Sequence, residues 1–271
     1  MAWYDGVFQI GYALLASMGL LAVHISVNTL NDYFDYRSGI DLEAERTPFS
    51  GGSGVLPAGL LKPRSVLWFG LACFLLALPV GVYFVVVRGL LLLPLIMIGA
   101  VCVLLYTPII TRIPWPEWSP GAGLGSLPVL GIYFVQTGAY TLPAVVASIP
   151  SGILVHNLLL LNEFPDVEAD EKAGRKTLPI VLGERKAGIV YLASTLAVYL
   201  WIVGGVAAGQ MPTYCLIALL TVPFAEKAIR GALKHRERSE LLSATGSNVI
   251  VVLLTQLLMG VGYILAAIFP G

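Results

Sequence analysis

Charged residues are scarce in this sequence. Asp, Glu, Lys and Arg together make up 12% of the 271 residues, whereas 57% are hydrophobic and the mean hydropathy is +0.84. A soluble domain carries about 25% charged residues, so a chain this poor in charge would expose apolar surface if it folded around a single aqueous core. A water-soluble fold is therefore excluded, and we expect an integral membrane protein.

Cysteine is also sparse. Cys73, Cys102 and Cys215 stand singly in apolar runs, with neither paired spacing nor a CxxC motif, and we interpret them as small buried hydrophobic residues. A basic segment before the first apolar run is lacking as well. Asp5 is the only charge there, so no cleavable signal peptide is expected.

Long apolar runs, by contrast, recur along the whole chain. A spanning helix needs about 20 mostly apolar residues, and eight stretches approach this length. We predict an all-α, polytopic transmembrane helical bundle that forms a single domain over residues 1–271, in which Gly and Pro interrupt the fourth and seventh helices. The predicted spans are 7–30, 66–87, 89–110, 121–138, 142–161, 187–208, 211–225 and 247–269.

The distribution of charge predicts the orientation of the bundle. If eight helices cross, the four long connections lie on one side, and they contain 15 of the 16 Lys and Arg residues, Arg88 being the exception. Because basic residues are retained on the cytoplasmic side, we expect these loops inside the cell, in the plasma membrane, and both termini outside. The long connections are 36–65, 111–120, 162–186 and 226–246.

Acidic residues gather on the same side. Apart from Asp5, 15 of 16 lie in the long connections or in the helix end that leads into the first of them. The positive-inside rule explains basic residues but gives no reason for acids to collect there. We therefore expect the carboxylates to have a function on the cytoplasmic face, although solvated loops that only cap helices are the alternative.

The first acid cluster closes the first predicted helix. Its leading residues are three, four or seven positions apart and so share one helix face. Carboxylates at a helix C-terminus oppose the macrodipole, which favours cations there, and this indicates a bound cation. The shared face comprises Asn28, Asn31, Asp32 and Asp35, and Asp41, Glu43 and Glu45 follow it.

The second acid cluster closes the fifth predicted helix. Asn162, Asp166 and Asp170 are four apart and form one stripe if the helix continues through Pro165, which could instead kink or end it. Oxygen ligands without His or Cys select Mg²⁺ or Mn²⁺, and Mg²⁺ held by one or two carboxylates is a usual diphosphate-binding arrangement. The cluster comprises Asn162, Glu163, Asp166, Glu168, Asp170 and Glu171.

Basic and aromatic residues near the two clusters are further candidates. The planar guanidinium of Arg suits phosphate, although simple anchoring on the cytoplasmic side is the alternative explanation. The glycine-rich stretch 50–54 could present backbone N–H groups to phosphate or be a flexible turn. The candidates are Arg46 after the first cluster, Lys172, Arg175 and Lys176 after the second, and Tyr106 and Arg112 on the same side.

Two motifs carry a family resemblance. Asn31-Asp32-Tyr33-Phe34-Asp35 matches NDxxD, and Asp166-Val167-Glu168-Ala169-Asp170, followed by Gly174 and Thr177, matches DxxxD with a downstream GxxT. The chain resembles the UbiA superfamily of intramembrane aromatic prenyltransferases over almost its whole length. The stretches 46–54 and 128–138 look most like the menaquinone branch, the 1,4-dihydroxy-2-naphthoate prenyltransferases.

The resemblance implies a helical bundle with a central cavity that is capped by cytoplasmic loops and open sideways to lipid. The family typically has nine helices, and this chain is expected to begin at the second. Where the broader pattern often has a further Asp after NDxxD, this chain has Gly39, and Asp41 is the nearest substitute.

The implied reaction is Mg²⁺-dependent prenyl transfer, with Mn²⁺ as a possible substitute, through an allylic carbocation. The expected partners are a prenyl diphosphate, an aromatic acceptor and the lipid bilayer, with no nucleic acid. Asp35, Asp166, Asp170 and Arg46 are the implied catalytic residues, and Asn31, Asp32, Asp35, Asp166 and Asp170 the metal ligands. The implied substrate-binding residues are Asn28, Asn31, Arg46, Tyr106, Arg112, Asn162, Lys172 and Arg175.

Three alternatives remain open from the sequence. The same chemistry could act on hydroxybenzoate, a tetrapyrrole or a glycerol-phosphate lipid. A CDP-alcohol phosphotransferase also uses Mg²⁺ and helix-borne Asp, but it has its acids in one continuous motif. A cation transporter should place acids near the bilayer midplane, whereas these acids cluster at one surface.

Overall fold

A computed structural model describes residues 1–43, 46–234 and 238–269 of the chain. Glu45 of the first acid cluster and residues 235–237 of the fourth long connection lie outside the described ranges. Within those ranges every regular element is helical. The α-helices are α1 (Ile10–Ser38), α2 (Ile40–Glu43), α3 (Pro63–Arg88), α4 (Leu93–Leu105), α5 (Trp118–Pro120), α6 (Leu127–Thr137), α7 (Leu142–Asn162), α8 (Val167–Lys172), α9 (Leu178–Leu182), α10 (Glu184–Ala207), α11 (Val222–Lys234) and α12 (Arg238–Ile268).

Five helices are long and apolar enough to cross a membrane by length and composition. A shorter apolar segment, Leu90–Leu105, combines a 3₁₀ turn with α4. The prediction of an all-α, multi-pass membrane bundle is therefore confirmed. The five long spans are Ile10–Ser38, Pro63–Arg88, Leu142–Asn162, Glu184–Ala207 and Ser239–Ile268.

The fourth and seventh predicted spans are helical but composite. The fourth consists of a π-helical segment, Gly121–Ser126, and α6, and the short helix α5 leads directly into it. The seventh begins as a 3₁₀ helix, Thr213–Thr221, and continues into α11. These are the two stretches in which Gly and Pro interrupt the apolar run, and their helices depart from regular α geometry.

The π-helical segment allows a close approach to α7. A Cβ placed on Gly125 would stand 2.6 Å from Gly152 Cα, and one on Gly121 would stand 2.9 Å from Gly152 O. No side chain fits at that separation without backbone movement. Small residues at such contacts let helices pack tightly in a membrane, where apolar burial alone does not drive association.

Replacing Gly125 with alanine is expected to destabilise the bundle. Overpacking of a close contact costs about 1–3 kcal/mol, so the unfolding temperature of the purified protein should fall. The matched control is Gly99→Ala in α4, where an added Cβ meets nothing within 4 Å and helix propensity favours alanine. An equal unfolding temperature for both variants would contradict this account of the contact.

A polar network ties α7 to α10 and α12 inside the bundle. Asn157 Nδ2 donates to Thr195 Oγ1 at 3.0 Å, and Asn248 Nδ2 donates to the Asn157 carbonyl at 3.0 Å. Tyr191 donates its hydroxyl proton to Asn248 Oδ1 at 2.9 Å. Asn157, Asn248 and Tyr191 are almost fully buried, so these hydrogen bonds join three spans where water is excluded.

One end of the bundle is closed by Arg88 and the N-terminal segment. Arg88 Nε donates to Val135 O at 2.6 Å, which satisfies a carbonyl near the end of α6. Gln9 and Gln136 exchange two hydrogen bonds, of 2.7 and 3.1 Å. Arg88 therefore lies at the end of α3 remote from the acid clusters, as the charge distribution predicted.

The four long connections meet at the opposite end. The backbone N–H of Lys176 donates to Thr111 O at 2.8 Å, which joins the second and third connections. The first connection reaches the third through Lys172 and Glu43, 3.2 Å apart. It reaches the fourth through Phe49, whose ring lies 3.3 Å from the position of a Cβ on Gly246. The acids of both clusters are therefore gathered at one end of the helices.

Candidate functional site

The first acid motif lies on the last turns of α1. The helix ends at Gly39, whose φ of +86° is a left-handed conformation that glycine adopts without strain. Asn31 Nδ2 donates to Asp35 Oδ2 at 2.9 Å and to Thr107 Oγ1 at 3.0 Å. The predicted four-residue spacing thus brings an amide and a carboxylate together, and Thr107 anchors them to the connection that follows α4.

The second acid motif does not form one helical stripe. α7 ends at Asn162, before Pro165, and a separate helix α8 begins after Asp166. Pro165 has no N–H to donate and disfavours a helical conformation at the residue before it. The condition for a continuous stripe is therefore not met, and the alternative of a helix end near Pro165 is what the structure has, with Asn162 on a different helix from Asp170.

Arg175 joins the two motifs. Its guanidinium donates to Asp35 Oδ1 of the first motif, and its Nη1 donates to Asp170 Oδ1 of the second at 3.0 Å. The side chains of Asp35, Asp170 and Arg175 are 10%, 2% and 16% exposed. A buried ion pair of this kind gains strength from its charge-assisted hydrogen bonds, and it draws α1 and α8 together.

Several buried acids outside the membrane-spanning helices have raised pKa values. Burial, followed by the charge of Asp170, raises the pKa of Asp166 to about 6. Burial also raises the pKa of Asp170 to about 6, against the lowering effect of Arg175. Burial and then the charges of Asp35 and Asp32 raise the pKa of Asp41 to about 7. The two motifs contribute four carboxylates, Asp32, Asp35, Asp166 and Asp170, and Arg175 bridges only two of them, so the count of charges favours a bound cation.

Asp41 gives the folding stability a pH dependence. Its native pKa of about 7 lies above the ordinary value, so the native state holds a proton that the unfolded chain releases near pH 4. The native state binds more protons across this window, and stability falls as pH rises through it. We expect Asp41→Asn to flatten this fall and to raise the unfolding temperature of metal-free protein at pH 8.

The measurement is thermal unfolding between pH 5 and pH 8 in the presence of EDTA. The control is Glu43→Gln, because Glu43 is exposed and lies two residues away on the same short helix. An Asp41→Asn variant that unfolds at the same temperature as the wild type at pH 8 would contradict the assigned cause.

A glycine-rich loop covers the acids. Gly51, Gly52 and Gly54 have φ values of +87°, +69° and +69°, a region that other residues rarely adopt. A Cβ on Gly52 would stand 2.8 Å from Asp41 Oδ1. The backbone N–H of Ser53 donates to Asp32 Oδ1 at 3.2 Å. The stretch 50–54 is thus packed directly against the first cluster.

The donor atoms fit a hard divalent cation, although they do not form a ready-made cage. Within the described ranges, no group of three or more His, Cys, Asp or Glu side chains is arranged to hold a metal. The carboxylates of Asp35 and Asp170 are instead bridged by Arg175. Asn162 Oδ1 is buried without a hydrogen-bond partner. Mg²⁺ uses one or two carboxylates and takes its other ligands from water and phosphate, so these residues suit it.

The structure brings only some of the predicted substrate-binding residues to this centre. Tyr106 lies near it, since Glu163, Arg175 and Asp35 all affect its pKa, which burial raises. Arg46 lies over the backbone of Gly54 at the rim.

Three predicted substrate-binding residues lie elsewhere. Asn28 is exposed and donates to His24 O in its own helix. Lys172 pairs with exposed Glu43. Among the described residues, no hydrogen bond or ion pair joins exposed Arg112 to the acids. A shared face, or a shared side of the membrane, did not bring these three side chains into contact with the buried acids Asp35 and Asp170.

Sequence reasoning did not predict that Glu117 lies beside Glu163 of the second cluster as a buried carboxyl group. Glu117 is fully buried, and its Oε1 accepts the Leu178 N–H at 2.6 Å. Burial, and then a hydrogen bond with Glu117, raises the pKa of Glu163 well above its ordinary value. The available signal was an acid flanked by tryptophans, Trp115 and Trp118, in a segment that positive-inside anchoring does not explain.

An indole–imidazole contact was also missed. Trp115 has a φ of +65°, rare for a bulky residue, and its Nε1 donates to His156 Nε2 at 2.8 Å. His156 lies next to Asn157 in the polar network of the bundle, with its Nδ1 3.1 Å from Asn157 Oδ1. His156 stands alone in an apolar run, so only the fold reveals the contact.

An apolar cavity of about 380 Å³ lies between α1, α3, α4 and α6. Its lining consists of aliphatic residues, glycines, Met97, Pro128 and the rings of Phe74 and Phe84. Val23 is the lining residue of α1 nearest in sequence to Asn31, eight residues away, or about 12 Å along a helix. A hydrocarbon chain is the kind of ligand that this lining accommodates.

Two acid motifs thus meet at one end of a multi-pass helical bundle that also contains an apolar cavity. The chain matches the model of the UbiA prenyltransferase family over residues 1–253, and it belongs to that family. It is therefore a prenyltransferase of the membrane.

Several relatives are named for the reaction that they catalyse. The chain is 32% identical over 231 residues to the 1,4-dihydroxy-2-naphthoate octaprenyltransferase of Bacillus subtilis, covering 84% of this chain and 73% of that protein. It is 26% identical to the 2-carboxy-1,4-naphthoquinone phytyltransferase of Synechocystis, covering 89% and 76% of the two chains. The menaquinone-branch resemblance is confirmed by these similarities.

A third relative and a solved structure concern another product. The chain is 31% identical to the digeranylgeranylglyceryl phosphate synthase of Thermococcus gammatolerans, over 67% of this chain and 62% of that protein. A solved structure concerning digeranylgeranylglyceryl phosphate synthase aligns with a TM-score of 0.65 and 19% identity, covering 97% of this chain and 91% of the other. At that identity the alignment supports the fold.

Proposed function

We propose that this chain transfers a prenyl group from a prenyl diphosphate to an aromatic acceptor of the 1,4-dihydroxy-2-naphthoate type, in a Mg²⁺-dependent reaction. The observation that carries the proposal is the meeting of Asp35 and Asp170 at Arg175. This contact joins the two acid motifs into one centre with excess negative charge. Such a centre suits a divalent cation together with a diphosphate.

The metal would be held by residues of both motifs. When bound, Mg²⁺ neutralises the negative charge that develops on the diphosphate as it leaves. Arg175 supplies a planar fork that binds phosphate oxygens, and the glycine-rich loop places Ser53 beside the first motif. The proposed ligands are Asn31, Asp32, Asp35, Asp166 and Asp170.

The apolar residues that line the cavity would bind the isoprenoid part of the donor. The isoprenoid tail lies against the cavity lined by α1, α3, α4 and α6. Breaking the bond between the allylic carbon and the diphosphate oxygen leaves an allylic cation, which water would hydrolyse. Apolar walls exclude that water, so the electron-rich ring of the acceptor attacks the cation instead. With a dihydroxynaphthoate acceptor, the new carbon–carbon bond replaces the ring carboxyl group, which leaves as CO₂.

The acceptor is the part that the site geometry specifies least. The Bacillus and Synechocystis relatives are named for naphthoate and naphthoquinone substrates, and this supports a bicyclic aromatic acceptor. The Thermococcus relative is named for a glycerol-phosphate lipid, which makes such a lipid the second candidate.

The test is mass spectrometry of products from purified protein incubated with a matrix of prenyl diphosphates and acceptors. The expected result is a prenylated, decarboxylated naphthoate product. Prenylation of a glycerol-phosphate lipid alone would replace the acceptor in this proposal, and the absence of any prenylated product from the whole matrix would overturn the proposal itself.

We further propose that the acid end of the bundle faces the cytoplasm, because basic residues are retained there. The three native cysteines are buried, so introduced cysteines can report on sidedness. A membrane-impermeant maleimide should label Ala208→Cys in intact cells, and Glu171→Cys only after the membrane is opened. The reverse pattern would overturn this orientation.

A further inference from the structure

Arg175 uses the carboxylate oxygens that a metal ion would use. Its guanidinium contacts Asp35, which is 140 residues away in the chain, and Asp170, which is five residues away. Both partners are almost fully buried, and the guanidinium is largely enclosed with them. Although burial works against it, the charges of Asp35 and Asp170 hold the pKa of Arg175 above its ordinary value.

The backbone that carries Arg175 is fixed on both sides. Arg175 N donates to Asp170 O at 3.0 Å, and Lys176 N donates to Thr111 O at 2.8 Å. Leu178 N donates to the carboxylate of Glu117 at 2.6 Å. A change in the contacts of Arg175 therefore requires rotation of its long side chain, while the segment around it stays in place.

The cost of moving the side chain depends on what enters the site. A bare divalent cation that binds Asp35 and Asp170 would take from the buried guanidinium the two carboxylates with which it pairs, and breaking a buried ion pair is strongly destabilising. A cation that arrives with a diphosphate brings new phosphate oxygens, to which the guanidinium can donate as a charge-assisted pair. The two ligands therefore favour each other's binding.

We propose that Arg175 is an internal counter-ion of Asp35 and Asp170. While it is paired with them it prevents a bare divalent cation from binding, and its guanidinium moves to the diphosphate when metal and diphosphate bind together. This inference rests on the proposed function, because it takes Asp35 and Asp170 as metal ligands. It adds that the metal and the diphosphate bind cooperatively, and that one side chain is the source of the coupling.

The coupling can be measured without catalysis. Mn²⁺ binds the same hard oxygen sites as Mg²⁺, and its electron paramagnetic resonance signal distinguishes free from protein-bound ion. The full chain in detergent is titrated with Mn²⁺ alone and with Mn²⁺ plus inorganic pyrophosphate, after rapid removal of unbound complex. Coupling between two ligands typically changes affinity by about 5- to 150-fold.

The decisive variant is Arg175→Gln. We expect it to bind Mn²⁺ alone at least about 5-fold more tightly than the wild type does, and to gain less affinity from pyrophosphate. Arg175→Lys should lie between them, because one ammonium group lacks the planar fork. The control is Arg37→Gln, which removes the same charge two residues after Asp35 from an exposed side chain that donates to Tyr33.

Each outcome has a consequence. Equal or weaker Mn²⁺ binding by Arg175→Gln would overturn the proposal, and so would an equal gain in Arg37→Gln, since the effect would then be one of general charge. If Arg175→Gln does not fold, the Arg175→Lys titration decides in the same way. Prenyl transfer is assayed separately. If the wild type transfers the prenyl group but gains no Mn²⁺ affinity from pyrophosphate, this inference is overturned and the proposed function stands.

Discussion

Replacing Asp35 or Asp166 with alanine is expected to reduce prenyl transfer by at least about 10²–10³-fold, the range found when one group that stabilises a developing negative charge is removed. Asp35 accepts hydrogen bonds from Asn31 and Arg175 at the junction of the two motifs. Asp166 begins the second motif, directly before α8. Each substitution therefore removes one proposed ligand of the same metal site, either from the first motif or from the second.

The measurement is product formation by purified variants under saturating donor and acceptor. Glu171→Gln is the matched control, because Glu171 is an exposed acid next to Asp170 on the same helix. Asp35→Asn is included because it preserves the shape of the side chain, and thermal unfolding shows whether each variant is folded. Undiminished product from either alanine variant would contradict the assignment of the site.

Removal of divalent cations is expected to abolish prenyl transfer completely, and added Mg²⁺ or Mn²⁺ to restore it. The two motifs contribute four carboxylates, and Arg175 pairs with only two of them, so carboxylates outnumber the guanidinium at this centre. A second anion in the form of a diphosphate would be repelled unless the metal accompanied it. The residues of the chain are therefore insufficient for donor binding by themselves.

The experiment compares protein treated with EDTA, protein treated with EDTA already saturated with Mg²⁺, and the first sample after Mg²⁺ is restored. The saturated chelator controls for effects of EDTA on the protein or detergent. Full activity after exhaustive chelation would contradict the metal requirement, and failure of Mg²⁺ to restore activity would show that EDTA had damaged the protein irreversibly.

The membrane class and the gathering of the acid motifs at one end of the bundle were predictable from local properties of the sequence. Low charge and repeated apolar runs require burial in lipid, whatever the tertiary contacts are. The one-sided distribution of Lys and Arg placed Arg88 at the far end of the bundle, where it lies beside Val135. Helical spacing within α1 placed Asn31 next to Asp35 because that helix is continuous.

Predictions that relied on a continuing helix or a shared compartment were less reliable. α7 ends before Pro165, so Asn162 and Asp170 are on different helices. Lys172 and Arg112 are in the predicted connections, but their side chains are exposed, and Lys172 pairs with exposed Glu43 and not with the buried acids. Spacing gives the face of a helix, whereas the direction of a loop side chain depends on contacts with distant segments.

The sequence by itself determined that this protein is a bundle of membrane helices with two acid motifs on one side, because hydropathy, charge asymmetry and short-range spacing are local properties. Only the tertiary structure decided that Arg175 lies between Asp35 and Asp170 and that Glu117 holds the neighbouring backbone at Leu178. These contacts join residues far apart in the chain, and the packing of α1, α7 and the long connections determines which buried charges meet.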